Sequence, residues 1–284
     1  MQIKLFQNKE LDNNSHKDYE FINNALFFPN QGILVIGDLH LGYEEMLQKE
    51  GVHISLGQLK ELRNNLDKIV KIIQKNNYKL NEIIFLGDIT HAFAYEWSEK
   101  NYYKELMKIT TKYVSENKII LIKGNHDTID YTYKEKLRNY HISSDKKIAF
   151  LHGHKDFKEI YAKNVKTLVL GHLHPSVVLK DKQNIRKEKF KCFLIGKFKG
   201  KKIIIIPSFL NSIEGSTINI DINNYKEDYE DFFSIIPKKY LMNLEVYVIE
   251  ESDNKEYKDN KNDGNNNKNV NKIYKFGKVK DLNT

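Results

Sequence analysis

Cysteine is nearly absent from this chain: Cys192 is the only one in 284 residues. No internal disulfide can form, and no cysteine cluster can hold a zinc ion. Inside Phe190-Lys-Cys-Phe-Leu-Ile195 the thiol reads as a small buried hydrophobe. Long hydrophobic runs are missing too. Nothing approaches the ~20 consecutive apolar residues that cross a bilayer. The opening Met1-Gln-Ile-Lys-Leu-Phe-Gln-Asn8 lacks the charged, apolar and cleavage regions of a signal peptide. The expectation is a soluble, cytoplasmic protein with no membrane partner. A glycine-rich phosphate loop of the nucleotide-triphosphatase type is also lacking.

Charge and aliphatic side chains are plentiful. Lysine plus arginine number 46 against 38 acids, a net charge of +8 that favours an acidic partner or substrate such as a nucleic acid. The competing explanation is compositional, because Lys, Asn, Ile and Tyr are used heavily and Pro sparingly, as in proteins of AT-rich genomes. Hydrophobic residues at 40% suffice for a sizeable core, in one large domain or two small ones.

The most informative stretch is Ile33-Leu-Val-Ile-Gly-Asp-Leu-His40. A short apolar run reads as a buried strand, and Gly37 permits a sharp exit from it. Asp38 and His40 are two apart, so both side chains can point at one ligand. A hard oxygen beside an imidazole suits a first-row divalent metal. The construction recurs. Glu82-Ile-Ile-Phe-Leu-Gly runs into Asp88, and Lys118-Ile-Ile-Leu-Ile-Lys-Gly into Asn125, His126 and Asp127. Lys147-Ile-Ala-Phe-Leu delivers His152, Gly153 and His154, and Thr167-Leu-Val-Leu-Gly delivers His172, Leu173 and His174. Taken singly, each polar residue has a plain structural reading: aspartate after glycine forms turns, Asn125 accepts a left-handed turn, and a lone histidine packs in a core or on a surface. Five strand ends with metal-type side chains are a different matter, because ligand sites of layered α/β proteins lie at the carboxyl ends of strands.

In this order, Gly37-Asp-Leu-His, Gly87-Asp, Gly124-Asn-His-Asp, His152-Gly-His and Gly171-His-Leu-His resemble the motifs of the calcineurin-like metallophosphoesterases, over residues 33–175. The fuller Gly37-Asp-Leu-His-Leu-Gly-Tyr-Glu44 is similar to archaeal phosphoesterases related to the bacterial DNA-ligase-associated phosphoesterases. The resemblance implies an α/β fold, a four-layer α/β/β/α sandwich, and two divalent metal ions. Asp38, His40 and His174 would hold one ion, Asn125, His152 and His172 the other, and Asp88 would bridge them. An anionic bridge lowers the repulsion of two dications ~3.5–4 Å apart, and a water between the two metals has a depressed pKa, so hydroxide is available near neutral pH for in-line attack on phosphorus. The mixed donors suit Mn, Fe, Zn, Co or Ni without choosing among them, and Mn is the expected ion. By the same resemblance His126 is the catalytic histidine, Asp127 orients its ring, and a DNA-repair partner is implied. His154 and His91 are candidates for substrate contact, while His16, His53 and His141 lack motif context.

Along the chain, 25–37 reads as a hairpin through the turn at 29–32. Ser55-Leu-Gly-Gln58 fits a capping box. Leu59, Leu62, Leu66, Ile69 and Ile73 then mark one buried helix face. A second helix is expected over 97–114 and a loop or short helix over 128–146. Strands are expected at 177–178, 189–195, 202–206, 216–221 and 244–249. Residues 251–272 are almost wholly Asn, Lys, Asp and Glu, which cannot bury enough surface to order. They read as a disordered insertion before a returning strand at 273–276, or alternatively as a tail, so that 1–250 and 273–284 form a single domain. The basic stretch 186–202, interleaved with Phe190 and Phe198, is either a nucleic-acid track or a hairpin with a solvated lysine face, and the hairpin is preferred. Function is expected to be phosphoester hydrolysis, with diesters ahead of a nucleotide or other small monoester. A non-catalytic scaffold and a nucleic-acid-binding subunit are the readings from other classes. Oligomeric state is not legible.

Overall fold

The computed structural model describes residues 9–11, 18–91, 96–127, 137–181, 183, 185–219, 234–250 and 272–282. In chain order these form β1 (Lys9–Leu11), β2 (Glu20–Ile22), β3 (Ala25–Phe28), β4 (Ile33–Ile36), α1 (Tyr43–Lys49), α2 (Gln58–Lys75), β5 (Glu82–Phe85), α3 (Glu96–Thr110), β6 (Ile119–Ile122) and β7 (Leu137–Arg138). There follow β8 (Tyr140–Ile142), β9 (Ile148–Leu151), β10 (Thr167–Leu170), β11 (Pro175–Lys180), β12 (Lys187–Lys191), β13 (Phe193–Phe198), β14 (Lys201–Ile205), β15 (Ser216–Thr217), α4 (Lys238–Leu241), β16 (Glu245–Glu250) and β17 (Lys272–Lys278).

Two sheets carry the fold. One has six strands in the order β2-β3-β4-β5-β6-β7, the other eight in the order β1-β17-β16-β13-β14-β10-β9-β8. They meet face to face over an apolar layer that includes Phe28, Val35, Ile84 and Ile120 from the first sheet and Phe150, Val169, Phe193 and Ile204 from the second. Alternate residues of the same strands face away, so Phe27 and Phe28, or Ala149 and Phe150, belong to different cores. Burial on both faces explains why these strands are continuous apolar runs rather than alternating ones. Outside the six-stranded sheet lie α2 and α3, held by Leu62, Leu66, Ile69 and Ile73 from one helix and Tyr103, Leu106 and Ile109 from the other. Outside the eight-stranded sheet, among the described residues, the cover is a three-stranded sheet β12-β11-β15, the short α4 and single-turn helices. The helical outer layer implied there by resemblance is therefore partly a β layer. Among the described residues no helix is long and apolar enough to cross a membrane.

Several expectations shift in detail. Pairing of β3 with β4 is antiparallel, as the hairpin reading requires. The helix stripe is correct, but the capping box is not. Gly57 is the N-cap of α2 and makes no side-chain cap. The carboxylate of Glu44 instead accepts the N–H groups of Gly57 and Gln58 from outside the helix. The stretch expected as one strand at 189–195 breaks at Cys192 into β12 and β13, which belong to different sheets. Within 128–146, residues 137–138 and 140–142 are strands rather than a loop or helix, while 128–136 lie outside the described residues. Residues 251–271 lie outside them as well. Lys272 already belongs to β17, which pairs antiparallel with β16.

Candidate metal centre

The motif-bearing strands β4, β5 and β6 are parallel neighbours in one sheet, and β9 and β10 are parallel neighbours in the other. Their registers align Ile36 with Phe85, Phe85 with Leu121, and Leu170 with Leu151. All five carboxyl ends therefore open on one edge of the sandwich. Backbone bonds tie the exits together: Leu39 and His40 donate N–H groups to the Asp88 carbonyl at 3.1 and 2.9 Å, and Gly171 donates to the His152 carbonyl at 3.0 Å.

The side chains at those exits form two donor groups. In the first, His40 Nε2 and His174 Nε2 are 3.2 Å apart, and His174 Nε2 is 3.2 Å from Asp38 Oδ1. In the second, His152 Nε2 lies 3.2 Å from Asp88 Oδ2, 2.9 Å from Asn125 Oδ1 and 3.1 Å from His172 Nδ1. Asp88 belongs to both groups, since the same Oδ2 is 3.8 Å from His40 Nε2. Within each group the histidine and carboxylate donor atoms lie within 4.8 Å of one another. Imidazole nitrogens that face each other across carboxylate oxygens, in a buried cleft, fit divalent first-row cations. His152 shows how such a ligand is aimed. Its Nδ1 is 2.8 Å from the Leu86 carbonyl, which fixes that nitrogen as the donor and turns Nε2 toward the cluster.

The carboxylates are buried, with Asp38 at 0% and Asp88 at 1% exposure. Burial alone would raise both, but neighbouring histidines prevail. His174, His152 and His40 hold Asp38 below the usual carboxylate range, and a bond with His152 does the same for Asp88. His152 answers in kind: burial would lower it, yet Asp38 and Asp88 push it up to about 9. Burial and the adjacent His174 bring His40 down to about 4.

The backbone is shaped for the cluster. His40, Asp88, His172 and His174 have positive φ of 45°, 44°, 68° and 41°. Such conformations are uncommon outside glycine and collect at functional sites. Asn125 is not among them, so the left-handed turn is borne by the aspartate and histidines. Gly37 is needed for a close approach rather than a sharp exit, because a Cβ there would strike the Pro207 carbonyl oxygen. At Gly124 a Cβ would strike Asp88.

The remaining candidates separate. His126 is half-buried at the mouth, and its backbone N–H donates to Asp88 Oδ1 at 2.8 Å. Its ring stacks on His91 with centroids 5.9 Å apart and lies 5.5 Å from His40. Asp127 does not orient that ring. Its Oδ1 accepts the Ile89 N–H at 2.9 Å and its Oδ2 the Gly124 N–H at 2.8 Å, so it ties the β5 and β6 exits together. Burial, reinforced by Asp88, pushes its carboxyl up to about 6. His91 touches the cluster, with Nδ1 3.4 Å from His40 Nδ1. His154 packs beside His152 and His172, with ring centroids 5.2 and 6.0 Å away. Phe190 and Phe198 are both 5% exposed, which removes them as stacking platforms for bases.

Sequence reasoning missed three contributors. Glu44 caps α2, and Gln58 bonds the turn that carries His40. The segment after β14 also reaches the site, where the Phe209 N–H donates to the Asp38 carbonyl at 3.2 Å. Its signal was available, because Ile203–206 is another apolar run ending in polar residues. It ends in Pro207 and Ser208, which are not metal-type side chains, so the strand at 202–206 is legible in the sequence but its part in the site is not.

Residues 32–208 match the family model described as calcineurin-like phosphoesterase. Among solved structures, the nuclease MPE of Pseudomonas putida is similar at 17% identity, with TM-score 0.48, over 85% of this chain and 96% of that one. The protein of unknown function AQ665 from Aquifex aeolicus is similar at 25% identity, with TM-score 0.33, over 50% of this chain and 78% of that one. No curated protein matches the chain.

Proposed function

The chain belongs to the calcineurin-like phosphoesterase family and is a metal-dependent hydrolase of phosphoric esters, and we propose that it acts on phosphodiesters of the nucleic-acid or nucleotide kind with two divalent ions, Mn foremost. In this reading Asp38, His40 and His174 hold one ion, Asn125, His152 and His172 the other, and Asp88 both. The observation that carries it is Asp88 itself, a single buried carboxylate common to two separate donor groups. Bound divalent ions supply Lewis acidity to phosphoryl oxygens and lower the pKa of water. The chain supplies the rest. His126 presents an imidazole at the mouth, placed to protonate the leaving oxygen, and His91 and His154 flank the ester. Asp127 holds the strand exits in register. The net charge of +8 favours a polyanionic substrate by steering. The DNA-repair partner implied by the narrower resemblance finds no counterpart among these observations. The same reading takes 1–250 with 273–284 as one domain, supported by the pairing of β16 with β17 around the intervening stretch.

The test is Mn-dependent hydrolysis of a chromogenic phosphodiester beside its monoester, with Asp88→Asn as control. Diester turnover that disappears in the variant supports the proposal. A monoester preference replaces it with a small-molecule phosphatase, and absence of turnover of either ester with two ions bound leaves a scaffold or an enzyme whose loops reject both artificial esters.

A further inference from the structure

Gln58, the first residue of α2, is buried, and its side chain points back at the turn after β4 rather than along its own helix. Nε2 donates to the His40 carbonyl oxygen at 3.0 Å and to Ser212 Oγ at 3.3 Å, while Oε1 accepts the Gly42 N–H at 2.9 Å. The amide thus grips the backbone on both sides of Leu41. His40, with φ 45°, is the residue in this turn whose conformation needs holding. From the opposite side the Asp88 carbonyl accepts the N–H groups of Leu39 and His40. A left-handed histidine is kept in place only where its surroundings fix it, and here Gln58 supplies the side-chain half of the clamp.

Gln58 is itself fixed. The Glu44 carboxylate accepts its backbone N–H at 3.1 Å, and Gly42, which Gln58 bonds, is the N-cap of α1. Each of the two helices therefore caps the other, immediately after His40. Its amide bonds go to the 40–42 turn and Ser212, whereas Asn125, His152 and His172 hang from the ends of β6, β9 and β10.

We infer that Gln58 is a positioning residue for His40 that sets cation affinity at the Asp38, His40, Asp88 and His174 group and leaves the Asp88, Asn125, His152 and His172 group unchanged. The inference rests on the two-ion reading above. Partners behind a metal ligand typically change affinity about 10- to 100-fold when removed.

The experiment is calorimetric titration of Mn into metal-free wild type, Gln58→Met and Gln58→Glu. His40→Ala and His172→Ala assign the two binding steps. Methionine fills the volume and makes none of the three bonds; glutamate keeps the acceptor for Gly42 and loses the donor to His40. The expected result is a step weakened about 10- to 100-fold in Gln58→Met, the one that His40→Ala abolishes, with the other step unchanged. Gln58→Glu is weakened at the same step, and it decides the matter if the methionine variant does not fold. Two unchanged steps, or two steps weakened equally with a lower metal-free Tm, overturn the inference and leave Gln58 a structural residue. Wild type that takes up fewer than two ions overturns the two-ion reading itself, a failure visible before any Gln58 variant is compared.

Discussion

The backbone N–H of His126 is bonded to Asp88 Oδ1 at 2.8 Å, so the histidine at the mouth is hung directly on the carboxylate shared by both donor groups. The bond uses the main chain and leaves the imidazole free of it. His126→Ala should therefore keep the metal content of wild type while losing about 100- to 10,000-fold in kcat on an ester with a poor leaving group, the range for a positioned general acid. A nitrophenolate needs no proton to depart and should show a much smaller loss. Comparing kcat for nitrophenyl and alkyl diesters checks this, and equal losses on both would remove the acid role.

Glu44 caps α2 from outside the helix. Removing the carboxylate leaves two N–H groups at the helix start without their acceptor. Glu44→Ala should lower stability by about 0.5–2 kcal/mol, as for other lost N-terminal caps. Glu44→Gln, which retains an acceptor oxygen, should lose less. Urea unfolding of the metal-free protein measures both.

Lys191 lies in the basic stretch, yet its Nζ donates to the Ser208 carbonyl at 2.9 Å and also to the Leu210 carbonyl. It pins the segment whose Phe209 N–H reaches the Asp38 carbonyl. Lys191→Met should cost about 1.5–3 kcal/mol, the range for hydrogen bonds from a charged donor. Under the proposed nucleic-acid reading, oligonucleotide binding by Lys191→Met should keep the salt dependence of wild type. A lysine on a phosphate would instead lower the slope by about one.

His141 stacks on Phe150 between Arg138 and Glu82, with Glu82 Oε2 3.7 Å away. Burial lowers its pKa; Glu82 opposes the shift and Arg138 adds to it. A histidine lowered in the fold binds fewer protons than in the unfolded chain, so its contribution is fully present above pH ~6.5 and declines as pH falls below that value. The urea midpoint of wild type in a chelator should drop more steeply between about pH 7 and 5.5 than that of His141→Phe. Parallel curves would show that His141 carries no such linkage.

Much of this was legible because the informative elements are local. A buried strand must be apolar on both faces, so Ile33–Ile36, Glu82–Phe85, Ile119–Ile122, Ile148–Leu151 and Thr167–Leu170 stand out as short runs with polar ends. The α2 stripe is equally plain. The capping error at Ser55 arose because the competing acceptor, Glu44, precedes the helix by more than ten residues and sits on another helix. Asp127 was misread for a similar reason. Its neighbour in sequence is His126, but its partners in space are Ile89 and Gly124 N–H groups at two strand exits.

The sequence by itself determined which side chains the centre has at its disposal, since residue type and strand-end placement are properties of the chain. Tertiary structure decided how they are divided. Whether β9 joins the sheet of β4 or the other sheet, which histidine faces which carboxylate, and that Asp88 lies between both groups depend on pairing two sheets whose strands are far apart in sequence. So do Gln58 and Lys191, ordinary polar residues until folding brings a backbone carbonyl within 3.0 Å of each. Hydrogen bonds and coordination act over a few ångströms, and at that range only the folded chain defines neighbours.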